Sequence, residues 1–266
     1  MILRPPFIPS VLPETQTYLN NIIGTGGTIS QETLQAIDRF VRDCYNAGVW
    51  TKLIEVYPIA GNDLNAALVK LKYAGTPTMT AVNFIGSDYA ERGAFSGITG
   101  NGTTKYINTN FAATSIPNTA HMSAYVREDI TTASYIIGAN NAAVTEIAGI
   151  TSTTGANRAA CLGAVSTAGD GTTFLKGFAY VDRSSASAIE FFRENVSIGT
   201  NPANIIAPNY PAINVFLWAR NNNGAPTSWS NRSASFFSIG NTLTATERAA
   251  FYRAVLNLQT NLQRNV

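Results

Sequence analysis

Apolar and polar positions follow two different rhythms along this chain. Near the N-terminus Leu34, Ile37, Val41, Cys44 and Tyr45 recur at helical spacing, while Asp38, Arg39, Arg42 and Asp43 lie off that stripe. With Ser30 in the N-cap position, this predicts a helix over 31–47. A shorter helix is expected over 14–23, followed by a glycine-rich turn at 24–28. Near the C-terminus Thr244 and Glu247 have the spacing of a capping box, and Phe251, Ala254, Val255, Leu258 and Leu262 form one stripe behind it. That predicts a helix over 245–263 that packs on the rest of the chain.

Between these ends, from about 76 to 240, the rhythm shortens to near alternation. Strands are expected at 79–84, 106–111, 121–127, 134–137, 160–165, 178–182, 188–193, 213–219 and 235–239. Asn101-Gly102, Ala139-Asn140-Asn141, Asp170-Gly171 and Asn223-Gly224 supply turn chemistry between them. So many short strands with no intervening helices predict a mainly β fold, two antiparallel sheets stacked as a sandwich. The expected division is an extended arm over 1–13, a helical segment over 14–57, the sandwich over 58–242 and a C-terminal helix over 243–266.

Pro5, Pro6, Pro9 and Pro13 keep the arm out of a helix, and its apolar residues Phe7, Ile8, Val11 and Leu12 need a surface to cover them. That surface is either the chain's own domain or another subunit. Pro5, Phe7, Ile8, Val11 and Leu12 are the candidate docking residues.

Composition narrows the function. Only 13% of residues are charged and the formal net charge is +2, so no field exists to gather polyanions, and nucleic acid is not an expected partner. No apolar run is long enough to insert in a membrane as a helix, and the prolines interrupt any secretory leader at the start. The two cysteines, Cys44 and Cys161, are far apart and are expected as buried free thiols, with a disulfide the less economical option.

Catalytic candidates are few. Glu190 and Glu194 are the best acidic pair, but on a strand they stand about 13 Å apart, too far for a retaining glycosidase. His121, the single histidine, sits in a strand pattern without a nucleophile elbow or a metal-binding helix motif. No catalytic residue, metal ligand or cofactor is assigned. Sugar recognition is the sharper possibility: Trp218 and Trp229 offer aromatic faces and Asn221, Asn222 and Asn223 offer amides, although the asparagines could equally make the turn and Trp218 could belong to the core.

The stretch Gly100-Asn101-Gly102-Thr103-Thr104-Lys105-Tyr106-Ile107-Asn108-Thr109-Asn110-Phe111 resembles the GNGTxxYxxTxF signature of concanavalin-like jelly-roll domains in tailed-bacteriophage virion and prophage proteins. Pieces at 47–53, 219–226 and 243–252 match the same pattern in order, so the resemblance spans about 30–262. It implies a laminin-G-like or lectin-like sandwich on the particle surface, made in the host bacterial cytoplasm: a non-enzymatic capsid decoration, cement or short-fibre subunit anchored by its arm. It further implies contacts with other virion proteins and a homo-oligomer, a trimer being one form. The alternative within the resemblance is a receptor-binding tail-fibre lectin that recognises host surface glycans.

Overall fold

The computed structural model describes residues 10–93, 96–128, 133–141, 147–152, 158–163, 176–201 and 210–266; the side chains of 147, 152, 158–161 and 201 also lie outside that description. The chain opens with helices α1 (Pro13–Gly24) and α2 (Gln31–Asn46), then strand β1 (Leu53–Tyr57) and the single-turn α3 (Leu64–Ala67). Strands β2 (Thr80–Val82), β3 (Tyr89–Ala90), β4 (Gly97–Thr99), β5 (Tyr106–Ala112), β6 (Ala120–Val126) and β7 (Ser134–Asn140) follow. Next come β8 (Ile147–Ser152), β9 (Arg158–Leu162), β10 (Gly177–Ser185), β11 (Ala188–Arg193) and β12 (Val196–Asn201). The chain closes with β13 (Asn214–Leu217), β14 (Arg220–Asn222), β15 (Ala225–Thr227), β16 (Ser233–Asn241) and helix α4 (Ala245–Asn261).

The strands form two eight-stranded sheets. The first runs β12-β11-β10-β6-β16-β4-β3 with β1 also on β16, all antiparallel. The second runs β15-β14-β7-β13-β5-β2, with the β8–β9 hairpin on β7. It is mixed, because β14 lies parallel to β7. The expected two-sheet sandwich with flanking helices is therefore present, with β1 extending it earlier in the chain than expected.

Alternation along β6 explains the layering. Met122, Ala124 and Val126 point into the core between the sheets, beside Val181, Phe237, Ile239 and, from the second sheet, Ile107, Val215 and Leu217. Tyr125 points the other way, to a second core where Phe178, Tyr180, Phe192 and Phe236 of the first sheet meet Phe40 of α2 and Phe251 of α4. Phe251 holds this interface, its ring centroid 6.0 Å from Phe178, 6.2 Å from Phe236 and 6.3 Å from Phe40. Burying one such side chain contributes about 1.5–3 kcal/mol. The first sheet is thus covered on both faces, and every residue of β6 is buried.

The helix ends follow the sequence signals. Ser30 caps α2 by accepting the Thr33 N–H, and Thr244 and Glu247 cap α4 reciprocally. Pro13 serves as the first residue of α1, where its missing N–H costs nothing, so the arm ends earlier than expected. The C-terminal tail is latched by the fully buried Arg264, which donates to the carbonyls of Ile59 (2.7 Å), Pro58 (2.7 Å) and Ser235 (3.0 Å). Those bonds hold Ile59 at φ 45°, an unfavourable backbone for a β-branched residue.

Polar residues on the helix-facing side of the first sheet satisfy one another. His121 Nδ1–H donates to the Asn241 carbonyl at 2.7 Å, its Nε2 accepts from Ser238 at 3.2 Å, and Ser238 bonds Ser123 at 2.7 Å. The imidazole stacks on Tyr180 at 5.1 Å and 19°, and is wholly buried, consistent with a strand residue of structural role. Burial pulls its pKa from 6.5 down to about 4, the bond to Asn241 offsetting only part of the effect. Between these two values the unfolded chain binds a proton that the folded one refuses. Stability should therefore fall as pH drops from about 6.5 to about 4, by on the order of 3 kcal/mol from this group, with no further His121 contribution below. Denaturant unfolding of the wild type and His121→Gln across that range isolates the effect, since carboxylate contributions cancel in the difference. Parallel pH profiles for the two proteins would contradict it.

Candidate functional site

A sandwich has four sheet faces, and three of them here are spent on cores: both faces of the first sheet and the inner face of the second. Among the described residues, the outer face of the second sheet remains. Strand β5 alternates half-buried and buried residues throughout, with Ile107, Thr109 and Phe111 inward, and Tyr106, Asn108 and Asn110 outward. In β13 Val215 and Leu217 belong to the core between the sheets, so Phe216 points to the opposite face, where it is itself buried at 5% exposure, with Tyr106 stacked on it. Phe216 pairs with Asn108 of β5 on one side and Gly138 of β7 on the other, and Gly138 pairs with Gly149 of β8. A row therefore crosses the outer face at right angles to the strands.

Aromatic rings lie along this row. Tyr106 stacks on Phe216 with centroids 4.6 Å apart and planes tilted by 31°. Further along, a Cβ on Gly138 would come within 2.7 Å of the Tyr135 ring, and one on Gly149 within 3.1 Å. The two glycines thus make a floor on which the Tyr135 ring lies flat. The Arg220 guanidinium stands over the other face of that region, 5.0 Å from the Tyr135 ring centre. Amides complete the surface: Asn222 Oδ1 accepts from Asn140 Nδ2 at 2.9 Å, and Asn108 Oδ1 accepts the Asn110 N–H at 2.9 Å. Asn140 Oδ1 is buried with no protein donor.

The structure places the aromatic and amide residues singled out in the sequence in different settings. Trp218 is a core residue: it is fully buried, edge-on to Phe237 at 5.2 Å and Phe84 at 5.7 Å, and donates its indole N–H to the Arg232 carbonyl at 2.8 Å. It cannot stack on a sugar. Asn221 is also buried, its amide donating to the Asn214 carbonyl and accepting the Gly224 N–H, each at 2.7 Å. Asn223 and Gly224, at φ 49° and 100°, make the tight turn between β14 and β15. Of the asparagine run, Asn222 is the one on the outward row. Trp229 is half-buried in the passage from β15 to β16, off the row, with its indole nitrogen sheltered and without an acceptor.

The expected docking arm meets its own domain. Leu12 packs against the helical core and donates its N–H to Asp38 at 2.7 Å, and Val11 is half-buried. Pro5, Phe7 and Ile8 lie outside the described residues, as does the Asp170-Gly171 turn. Two clefts of about 430 and 320 Å³ flank Pro13 and Glu14, between α1, α2 and the segment around Trp50. Their charged groups are engaged internally: Glu14 accepts from the Tyr45 hydroxyl, and Lys72 donates to the Trp50 carbonyl at 2.5 Å.

The acidic residues are structural struts. Glu194 occupies the β11–β12 turn at φ 49°, where its carboxylate accepts the Phe178 N–H at 2.6 Å and the Tyr252 hydroxyl at 2.5 Å, so it does not share a strand with Glu190 as expected. Glu190 pairs in register with Asp182, whose buried carboxylate accepts from Thr242 at 2.8 Å and Tyr180 at 3.1 Å. Burial raises the Asp182 pKa, and those bonds counter it in part. Cys44 is buried on α2, and burial pushes its thiol pKa up, which keeps it inert; the Cys161 side chain lies outside the description. No helix is long and apolar enough to cross a membrane, among the described residues.

No protein family and no curated protein matches the sequence. Among solved structures, the chain resembles domain 4 of AbnA, an extracellular GH43 arabinanase from Geobacillus stearothermophilus, in complex with arabinotriose. That likeness has a TM-score of 0.51 at 14% identity, covering 75% of this chain and 98% of the other. This is a likeness of fold. A Trypanosoma rangeli sialidase mutant with trans-sialidase activity follows at TM-score 0.49 and 10% identity, covering 88% of this chain and 40% of that one. A mutant NanB sialidase from Streptococcus pneumoniae gives 0.45 at 12% identity, covering 57% of this chain and 26% of the other. The chain thus spans about a quarter of the pneumococcal enzyme. The expectation of a bacteriophage virion structural protein, with its tail-fibre alternative, is corrected here: the fold likeness at TM-score 0.51 is to an arabinanase domain, and the described end of the arm is packed on its own helices.

Because Trp218 fills the core, Trp218→Ala should lower stability by about 3–5 kcal/mol. Denaturant unfolding measures this; a loss below about 1 kcal/mol, as for a surface residue, would show the indole to be free.

Proposed function

We propose that this chain is a non-catalytic saccharide-binding module whose ligand lies across the outer face of the second sheet. The observation that carries the reading is Tyr106, stacked over the buried Phe216, with the Tyr135–Arg220 pair, Asn108 and Asn222 on the sheet face that, among the described residues, no core consumes. Sugar rings present C–H faces that pack on aromatic rings and hydroxyls that need donors and acceptors at the rim, and this face supplies both. The Asn108 and Asn222 side chains each commit only their oxygen to a protein bond.

A binding role also fits the distribution of acids. The strands of the second sheet contain no Asp or Glu, whereas glycoside hydrolysis ordinarily needs two carboxylates flanking the scissile bond. The fold likeness to an arabinanase domain holding arabinotriose supports the same class of ligand.

Affinity electrophoresis and calorimetry against a panel of neutral and acidic oligosaccharides, arabinotriose included, provide the test. Tyr106→Ala, which removes the stacking ring, and Tyr135→Ala, which removes the support of Arg220, should each weaken binding about tenfold or more, without releasing reducing sugar from any panel member in either wild type or variant. Undiminished binding by both variants, or wild-type turnover, would overturn the reading.

A further inference from the structure

The charges on this face are one-sided. Across the eight described strands of the second sheet the Asp, Glu, Lys, Arg and His residues reduce to two arginines, Arg158 and Arg220, with no Asp or Glu to balance them. Elsewhere among the described residues, cations that approach an aromatic ring are commonly tied down: Lys70 pairs with Glu55 at 3.0 Å and Lys105 with Asp88 at 2.5 Å. Arg220 differs. Its protein bonds are one long contact from Nε to Thr227 Oγ1 at 3.4 Å and the stack over Tyr135, and no described carboxylate reaches it.

The guanidinium is nonetheless fixed in place. Arg220 opens the β14–β15 hairpin, whose Asn223-Gly224 turn sets the register that puts Arg220 opposite Thr227. Asn221 pairs with Ala139 and turns inward, which forces its neighbour Arg220 to the outer face. Tyr135, flat on the Gly138 and Gly149 floor, then supports the guanidinium plane. The terminal nitrogens are left as a preoriented fork beside the aromatic row, and a fork of that kind matches a carboxylate in two parallel hydrogen bonds.

We infer that the saccharide this face takes is an acidic one, a uronate-type sugar whose carboxylate pairs with Arg220, held over Tyr135, while its ring packs on Tyr106. The inference rests on the saccharide-binding reading above and adds the ligand's charge. Asn222, next along the hairpin, offers its amide N–H₂ to a neighbouring ring hydroxyl.

Trigalacturonate and its fully methyl-esterified form are suitable probes, because they share every ring contact and differ in carboxylate charge. Calorimetry on the full chain should give about tenfold or more tighter binding of the acid form, weakening as salt is raised. Arg220→Gln should abolish the preference by lowering acid-form affinity to that of the ester. Arg220→Lys, which keeps a point charge without the fork, should retain part of it. An acid-to-ester ratio unchanged in Arg220→Gln would overturn the inference, as would equal binding of the two probes by the wild type or no binding of trigalacturonate. In each of those cases, a neutral oligosaccharide that still loses affinity in Tyr106→Ala leaves the saccharide-binding reading intact. Tyr106→Ala and Tyr135→Ala variants that bind every probe normally would remove both.

Discussion

The structure depends on one constraint: its first sheet is buried on both faces. A strand such as β6 cannot follow the usual alternation of apolar inside and polar outside, because it has no outside. Met122, Ala124 and Val126 meet the second sheet, and Tyr125 meets the helices. The polar residues that share the helix-facing side carry the cost of desolvation, and they meet it by bonding to one another, as His121, Ser238 and Ser123 do. Helices α2 and α4 are for this reason part of the fold proper. They cover a sheet face rich in Phe and Tyr that water would otherwise wet.

That constraint also determines where a ligand can bind. Among the described residues, with three sheet faces closed, the outer face of the second sheet is the broad surface left, and the binding platform proposed above lies there. Gly138 and Gly149 would weaken an ordinary strand pair, since they offer nothing to pack. Here they let Tyr135 lie down on the sheet, and Tyr135 in turn orients Arg220. The platform's rigidity derives from ladder hydrogen bonds beneath it, and the rings need little ordering when a ligand arrives.

Much of this was legible in the sequence where a local signal and its tertiary setting agree. Ser30, Thr244 and Glu247 announced helix ends that the structure keeps, and the Phe251 stripe announced the face that packs. The sandwich itself followed from strand count and turns, and the likeness at 100–111 supports it for a structural reason: Asn101 Oδ1 gathers the N–H groups of Thr103, Thr104 and Lys105, and Gly100 sits where a Cβ would strike the Ser230 carbonyl at 2.0 Å. Those residues shape a loop, so they travel with the fold and say nothing of its setting. The virion role inferred from them failed on that account. The outward-facing side chains of the second sheet were hidden by irregular backbone. Trp218 takes φ 60°, and a register shift between Tyr135 and Ile137 breaks the alternation of β7, so parity counted along the sequence could not tell which aromatic faces out. Strands β8 and β12, rich in Gly, Ser and Thr, carry too little apolar pattern to be recognised alone.

The central claim is that closure of three sheet faces directs ligand binding to the fourth. Backbone amide NMR during titration with an oligosaccharide that binds tests it most directly. The account predicts that the largest shift changes fall on Tyr106, Asn108, Tyr135, Gly138, Phe216, Arg220 and Asn222, with α1, α2 and α4 unaffected. Shift changes concentrated instead around Pro13, Glu14 and Tyr45, with the second sheet silent, would contradict it.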